Sequence, residues 1–171
     1  DRMKVTEELL KKYNVPVPRY TSYPPANHFT TSFGERDFVE MLRDSNSRQP
    51  ENIAIYIHVP FCKRICYYCG CNSCHIGDGS QVAPYFEALE REIRLVSGYI
   101  DKSRTVSQIH FGGGTPNAVS FVHLANIIAL LRSEFTFIKN PEIAIECDPA
   151  SLDLNYIDNL IAAGFNRISF G

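Results

Sequence analysis

The sequence predicts an α/β fold in which parallel strands form a partial or complete (β/α) barrel. Three observations support this prediction. Strand and helix patterns alternate from residue 53 onward, each predicted strand has one apolar and one polar side, and reactive residues cluster where these strands end. Repeated strand–helix units favour a parallel sheet with right-handed crossovers.

Strand and helix patterns alternate along the second part of the chain. Strand patterns occupy four segments, namely residues 53–59, 106–111, 142–148 and 166–170. Amphipathic helices are predicted over residues 80–97 and 120–135, and over a third segment that runs from its N-cap Asp153 to Gly164. The chain therefore provides four strands and three intervening helices.

The two sides of each predicted strand differ in polarity. In the first strand the apolar side holds Ile53, Ile55, Ile57 and Val59, and the other side holds Ala54, Tyr56 and His58. A flat sheet with helices on both faces would be apolar on both sides. We therefore expect a curved sheet with helices outside, a polar inner face and reactive groups at the strand ends. Chance alternation in short strands is the alternative.

The sequence predicts a boundary near residue 50. Residues 1–50 are expected to form an N-terminal arm with short helices, and residues 51–171 the N-terminal part of the barrel. Thr6 is a candidate N-cap for a first helix. Residues 16–29 hold four prolines and predict an extended, ordered segment, and residues 35–44 predict a further helix.

Composition limits the classes of partner. Seventeen Lys and Arg against nineteen Asp and Glu give a formal net charge of -2, so no basic excess favours nucleic acid or an anionic membrane. No apolar run approaches the ~20 residues that span a bilayer, and the charged first residues argue against a secretory signal. We expect a cytoplasmic monomer. We also expect a piece of a longer protein that alone is inactive or poorly folded.

Cysteines are concentrated in one short loop. The chain has six, at Cys62, Cys66, Cys69, Cys71, Cys74 and Cys147. A disulfide scaffold is disfavoured because such scaffolds are small and secreted, and reduced, metal-binding thiols fit better. The first three follow the first strand as C-x3-C-x2-C, a spacing that suits an iron–sulfur cluster. A zinc site completed by Cys71, Cys74 or His75 is the alternative.

This loop resembles the signature of the radical S-adenosylmethionine superfamily, C-x3-C-x-aromatic-C, with Tyr68 in the aromatic position. The run Gly112-Gly113-Gly114-Thr115-Pro116 resembles the glycine motif of that superfamily. The resemblance implies a partial (β/α)6 barrel of which this chain holds the first four units. It also implies a [4Fe–4S] cluster on Cys62, Cys66 and Cys69 that leaves one iron open for S-adenosylmethionine.

The resemblance also implies cofactor contacts. They are assigned to Tyr56, Tyr68, Gly113, Gly114, Thr115 and Glu146. Tyr56 would contact the carboxylate of S-adenosylmethionine, Tyr68 would present its backbone to the adenine, and Glu146 would accept a hydrogen bond from a ribose hydroxyl. The glycines would let the backbone approach the cofactor. A barrel-filling aromatic is the alternative for Tyr56, and a salt bridge to Arg167 is the alternative for Glu146.

Other polar residues near the strand ends have simpler expected roles. His58 and His110 are expected to be hydrogen-bonded core histidines rather than ligands. Cys71 is expected to have a structural or near-cluster role, and Cys147 to be a small core residue. Asp148 is a candidate capping residue before Pro149. No catalytic side chain is predicted beyond the cluster and the cofactor.

Longer segments resemble one family within the superfamily, the oxygen-independent coproporphyrinogen III oxidases. They are Arg19–Pro24, Tyr56–Cys62, Cys69–Asn72, Glu146–Pro149 and Phe165–Gly171. The resemblance implies that a 5′-deoxyadenosyl radical drives oxidative decarboxylation of two propionates of coproporphyrinogen III, giving protoporphyrinogen IX. An electron donor and an acceptor are implied partners, and Arg19 and Tyr20 either reach the substrate carboxylates or simply pack. The alternatives are a related haem chaperone, a haem-degrading radical enzyme, or a zinc-stabilised module without activity.

Overall fold

The computed structural model of the protein describes residues 5–15, 28–48 and 50–171. Most of the proline-rich segment, including Arg19 and Tyr20, lies outside these residues. The chain divides into two compact units, residues 1–35 and residues 36–171. In the described part of the chain, no helix has the length and apolarity needed to cross a membrane.

In its described residues, 5–15 and 28–35, the first unit contains one complete short helix, α1 (Glu7–Tyr13). Thr6 caps it, as the sequence predicts, because its Oγ1 accepts the N–H of Leu9 at 3.2 Å. This bond satisfies one of the free N–H groups at the start of the helix. An exposed pair between Lys11 and Glu7, 3.2 Å apart, spans one turn. The helix is thus held mainly by local contacts.

The second unit contains the remaining helices and the strands. The described helices are α2 (Glu35–Ser45), α3 (Val82–Ser97), α4 (Phe121–Glu134) and α5 (Leu154–Ala162). The described strands are β1 (Ile53–Val59), β2 (Phe61–Cys62), β3 (Cys74–His75), β4 (Thr105–Gly113), β5 (Thr136–Cys147) and β6 (Arg167–Phe170). Asp153 caps α5, its Oδ1 accepting the N–H of Tyr156 at 2.7 Å, as expected.

The sheet has the predicted parallel topology. Strands β1, β4, β5 and β6 pair in that order, all parallel, while β2 and β3 form a separate parallel pair. Each long strand therefore lies beside the next long strand in the chain, with a helix between them. This order confirms the predicted α/β architecture of four successive strand units.

Arg104 ties α2 to the start of the sheet. Its guanidinium donates to Ser45 Oγ at 2.9 Å, to the carbonyl of Pro50 at 3.1 Å and to that of Glu51 at 3.2 Å. Helix α2 is therefore attached to the sheet through this side chain. Nothing in the local sequence pattern indicated this long-range contact.

The hydrophobic core lies between one face of the sheet and the helices. Ile57, Phe111 and Ile145 contribute from three strands, and they pack with Phe86 of α3 and Leu131 of α4. These are the apolar positions that the strand alternation and helix periodicity predict. Burial of this continuous apolar surface is the main favourable term in forming the fold.

The opposite face of the sheet is polar, as predicted. Gln108 donates to Glu142 Oε1 at 3.2 Å, and Arg167 reaches the same oxygen at 3.0 Å. Ala144 is buried on this face although the alternation predicts an open position. It lies between His110 and Arg167 in the strand register, and both neighbours have larger side chains.

Strand β5 is longer than the sequence predicts. The predicted strand begins at residue 142, but the observed one begins at Thr136. Pro141 has no N–H to donate, so the sequence there is typical of a strand boundary. The ladder between β4 and β5 instead shifts register between Val106 and Gln108, which carries the strand past the proline.

Asn117 joins the ends of β4 and β5. Its side chain is only 3% exposed, its Nδ2 donates to the carbonyl of Asp148 at 2.9 Å and its Oδ1 accepts the Asp148 N–H at 2.9 Å. Asp148 in turn accepts the N–H of Ala150 at 2.9 Å, which confirms it as a capping residue. Two neighbouring strand ends are thereby fixed relative to each other.

Replacement of Asn117 by alanine should lower the free energy of unfolding by ~2–3 kcal/mol, because it leaves both Asp148 peptide groups without partners. This difference can be measured by chemical denaturation, either of this chain or of the longer protein, provided that the unfolding is cooperative. Asn126→Ala, on the exposed side of α4, is the matched control and should change stability by less than about 0.5 kcal/mol. Equal losses in both variants would contradict the role assigned to Asn117.

Cys147 should resist alkylation in the folded, metal-free protein. It is 3% exposed, and burial raises its pKa to about 11, so almost no reactive thiolate is present near neutral pH. Peptide mass spectrometry after iodoacetamide treatment should show modified Cys66 and Cys74, which are exposed, and intact Cys147. Because the pKa of Cys147 is higher in the folded than in the unfolded protein, its contribution to the free energy of unfolding falls as the pH rises from about 8.5 towards 11. Labelling of Cys147 at the rate of Cys74 would refute this assignment.

Candidate active site at the strand ends

The glycine turn after β4 is bonded directly to the chain that enters the cysteine loop. The N–H of Gly114 donates to the carbonyl of Val59 at 2.8 Å, and the N–H of Thr115 donates to that of Phe61 at 2.9 Å. Both bonds continue the β1–β4 ladder beyond the last paired residues. The two motifs singled out in the sequence therefore meet at one edge of the sheet.

The three glycines of this turn are required by close contacts within the protein. Gly113 has a φ of +113°, which disfavours any side chain. A Cβ atom would lie 2.9 Å from Glu146 Oε2 at Gly112, 2.6 Å from the His58 ring at Gly113 and 2.6 Å from the Pro60 carbonyl oxygen at Gly114. The lack of a side chain at these three positions therefore accommodates neighbouring groups of the protein itself.

The three motif cysteines differ in their surroundings. Cys62 is 6% exposed, with its Sγ 3.4 Å from Thr115 Oγ1. Cys66 and Cys69 are exposed, and the N–H of Cys69 donates to the carbonyl of Cys66 at 3.1 Å. A hydrogen bond with Ser73 lowers the pKa of Cys69. One motif cysteine is thus fixed beneath the glycine turn, and two stand on the exposed loop.

Cys71 lies near two of these cysteines. Its pKa is raised first by desolvation and then by Cys69, Glu146 and Cys62, so its thiol is within electrostatic reach of all three. This placement supports the expected near-cluster or structural role. All six cysteines have free thiols.

The cysteine loop fits an iron–sulfur cluster through the chemistry of its donors. In a cubane cluster each cysteine thiolate binds a separate iron, so the sulfurs do not meet at one point. Cys62, Cys66 and Cys69 provide three free thiols of this kind. Among the described residues, no three Cys, His, Asp or Glu side chains converge closely enough to hold a single metal ion.

Glu146, at the end of β5, is held by contacts from β4. Its Oε1 lies 3.0 Å from His110 Nε2, and its Oε2 accepts the Gly113 N–H at 3.3 Å. The His110 ring stacks on Tyr56 with centroids 5.8 Å apart and an angle of 12° between the rings. The structure thus brings together three predicted contact residues, and His110 connects two of them.

Sequence reasoning missed this connecting role of His110, and it gave Glu146 the wrong alternative partner. The suggested salt bridge between Glu146 and Arg167 is wrong, because Arg167 pairs with Glu142 at 3.0 Å. In the strand register Glu146 lies opposite Ser169, which explains the difference. Polar residues facing the same side of adjacent strands were the available signal.

The two histidines are hydrogen-bonded, as expected, but they lie on the half-exposed inner face rather than in the core. His58 Nε2 lies 2.7 Å from the carbonyl oxygen of Asn72, in the cysteine loop. His58 Nδ1 lies 3.4 Å from the Tyr56 hydroxyl, and Tyr85 donates to the His58 carbonyl. Polar contacts therefore run from the loop across the inner face.

The predicted contact residues Tyr56 and Tyr68 differ in their surroundings. Burial, then Glu146 and then Cys71, raise the pKa of Tyr56, so its phenol stays protonated and available to donate. Tyr68 stands apart, with its side chain 87% exposed on the cysteine loop. The inner face and the glycine turn are therefore in mutual contact, while the side chains of Cys66, Tyr68 and Cys69 on the loop are exposed.

Relatives with known names match almost the whole chain. An oxygen-independent coproporphyrinogen III oxidase of Synechocystis is 40% identical over 169 residues, which are 99% of this chain and 36% of that protein. The enzyme of the same name from Escherichia coli is 42% identical over 164 residues, which are 95% of this chain and 35% of that protein. The chain therefore spans little more than a third of the length of these relatives.

A solved structure shows the same fold. A coproporphyrinogen III oxidase from Escherichia coli, described as a radical SAM enzyme, superposes with a TM-score of 0.81 at 39% identity. The match covers 96% of this chain and 36% of that one. It confirms the expected partial barrel.

The profile of the Radical SAM superfamily matches residues 56–171. This stretch begins within β1 and contains the cysteine loop, the glycine turn and Glu146. Membership implies S-adenosylmethionine and a [4Fe–4S] cluster as cofactors, and it argues against a zinc-stabilised module. The chain belongs to the radical SAM superfamily.

Proposed function

We propose that this chain is part of an oxygen-independent coproporphyrinogen III oxidase, which converts two propionates of coproporphyrinogen III to vinyl groups. Relatives of that name match 95–100% of the chain. The observation that carries the proposal is the meeting of Cys62, the glycine turn and Glu146 at one edge of the sheet. Such an edge is where barrel enzymes of this type place their chemistry.

We assign the cluster to Cys62, Cys66 and Cys69. The burial of Cys62 under Gly114 gives the loop one fixed point, and the two exposed cysteines lie on a short segment that follows it. When bound, the cluster and S-adenosylmethionine would supply the 5′-deoxyadenosyl radical chemistry that oxidation of a propionate side chain requires. The role of the protein is to place and shield these groups.

The inner face supplies the contacts to S-adenosylmethionine. The Tyr56 hydroxyl would donate a hydrogen bond to the methionine carboxylate, and Glu146 would accept a hydrogen bond from the ribose. At the end of β4, Gly113, Gly114 and Thr115 lie beside the methionine amino group. Tyr68 contributes its backbone to the adenine. The support for this assignment is that the Tyr56 and Glu146 side chains both contact His110.

The organisation of the longer protein follows from the same proposal. Residues 1–50 form an N-terminal arm, and residues 51–171 the first part of the barrel. The protein acts as a cytoplasmic monomer on a porphyrinogen, with an external electron donor and acceptor.

Anaerobic reconstitution with iron and sulfide tests the cluster assignment. Cys62→Ser, Cys66→Ser and Cys69→Ser should each lose most of the iron and the broad visible absorption, because a serine oxygen is a poor replacement for thiolate. The matched control is Cys74→Ser, which changes an exposed cysteine outside the motif. This variant protein should remain brown. A colourless wild-type protein with one tightly bound zinc would overturn the assignment.

The reaction itself is tested on the full-length chain under strict anaerobiosis, with coproporphyrinogen III, S-adenosylmethionine and a reductant. Mass spectrometry should show the loss of two CO2 and four hydrogen atoms per porphyrinogen. Tight haem binding with no change in porphyrinogen mass would instead indicate a haem chaperone.

A further inference from the structure

Glu146 is a carboxylate that needs positioning. Its side chain is 45% exposed on the polar face, and a glutamate with this freedom samples several rotamers unless it is held. Two contacts restrain it, one from the Gly113 N–H at 3.3 Å and one from His110 Nε2 at 3.0 Å. The shorter contact comes from a side chain on the neighbouring strand.

His110 is itself restrained. Its ring stacks on Tyr56 at 5.8 Å between centroids, with the planes 12° apart, and its side chain is 36% exposed. The Tyr56 hydroxyl lies 3.4 Å from His58 Nδ1, and the His58 ring is bonded to the cysteine loop through Asn72. The imidazole that meets Glu146 is therefore held on one face by Tyr56, which is connected to the cysteine loop through His58.

We propose that His110 is a positioning residue that holds Glu146 in the orientation required to bind the ribose of S-adenosylmethionine. This inference rests on the proposed function. In this role His110 acts through Glu146 rather than on the cofactor directly. Its Nε2 lies within hydrogen-bonding distance of one carboxylate oxygen, and the Gly113 N–H donates to the other. The carboxylate is therefore already oriented before a ligand binds. Because the side chain is ordered before binding, the binding free energy does not have to offset the loss of its conformational entropy.

The stacking on Tyr56 extends the effect. Tyr56 and Glu146 meet different ends of the same ligand in the proposed site, and the His110 ring touches both side chains. A ring held in this way fixes the spacing between the two contact residues. We therefore expect that loss of the His110 hydrogen bond weakens binding without changing the iron content.

Isothermal titration of S-adenosylmethionine into the cluster-loaded, full-length protein tests this role. His110→Phe keeps an aromatic ring for Tyr56 but loses Nε2, and its Kd should rise about 10-fold, the effect of one hydrogen bond to a charged group on a half-exposed pair. His110→Gln places an amide nitrogen close to the position of Nε2 and should stay within about 3-fold of wild type. His110→Asn has too short a side chain and should resemble the phenylalanine variant.

A double-mutant cycle shows whether His110 acts through Glu146. Adding His110→Phe to Glu146→Gln should cost less than about 2-fold beyond Glu146→Gln alone, because the residue to be positioned is already altered. The matched control is Gln108→Leu, which removes the 3.2 Å bond to Glu142 on the same strand and face and should leave Kd unchanged.

The outcomes separate this inference from the proposed function. If wild-type protein does not bind S-adenosylmethionine, the proposed function fails. If wild type binds and His110→Phe binds equally well, or if the two substitutions have additive effects, His110 has no positioning role and the function stands. Should the phenylalanine variant fail to fold, the glutamine and asparagine variants decide, since equal affinities in those two would also overturn the inference.

Discussion

The parallel pairing of β1 with β4 is the constraint on which the site depends. It sets Val59 opposite Gly113, and it lets the next residue, Gly114, bond to the Val59 carbonyl. A shift by one residue would turn the inner side chains of one strand towards the core. Register, maintained by buried Ile57 and Val59 of β1 and the core residues of β4, therefore decides whether the cysteine loop and the glycine turn meet at all.

The local features of the fold could be predicted because they depend on short-range chemistry. Thr6 and Asp153 are caps in the sequence and in the structure, and the alternation of β1 shows directly which of its residues are buried. Contacts between distant residues could not be predicted. Asn117 binds Asp148, 31 residues away, and His110 meets Glu146, 36 residues away, only because adjacent strands align them.

The candidate site could likewise be predicted only where it depends on local sequence patterns. The cysteine spacing and the glycine run indicated the chemistry, because both are local patterns. Which side chain supports Glu146 depends on the register of β5 between two neighbours, and two polar partners on those strands were equally compatible with the sequence. Pro141 added to the difficulty, since a strand that continues past a proline needs an irregular ladder that no local pattern predicts.

The contact between Gly112 and Glu146 has a consequence for how this site can diverge. The backbone at Gly112 lies so close that an added methyl group would meet the carboxylate at about 3 Å. Enlarging residue 112 would therefore displace the acidic group while leaving the glutamate itself in the sequence. Under the proposed assignment of Glu146, a substitution at residue 112 would alter the ligand contacts of the site by moving that carboxylate. Two homologues with the same acidic residue need not present it in the same way.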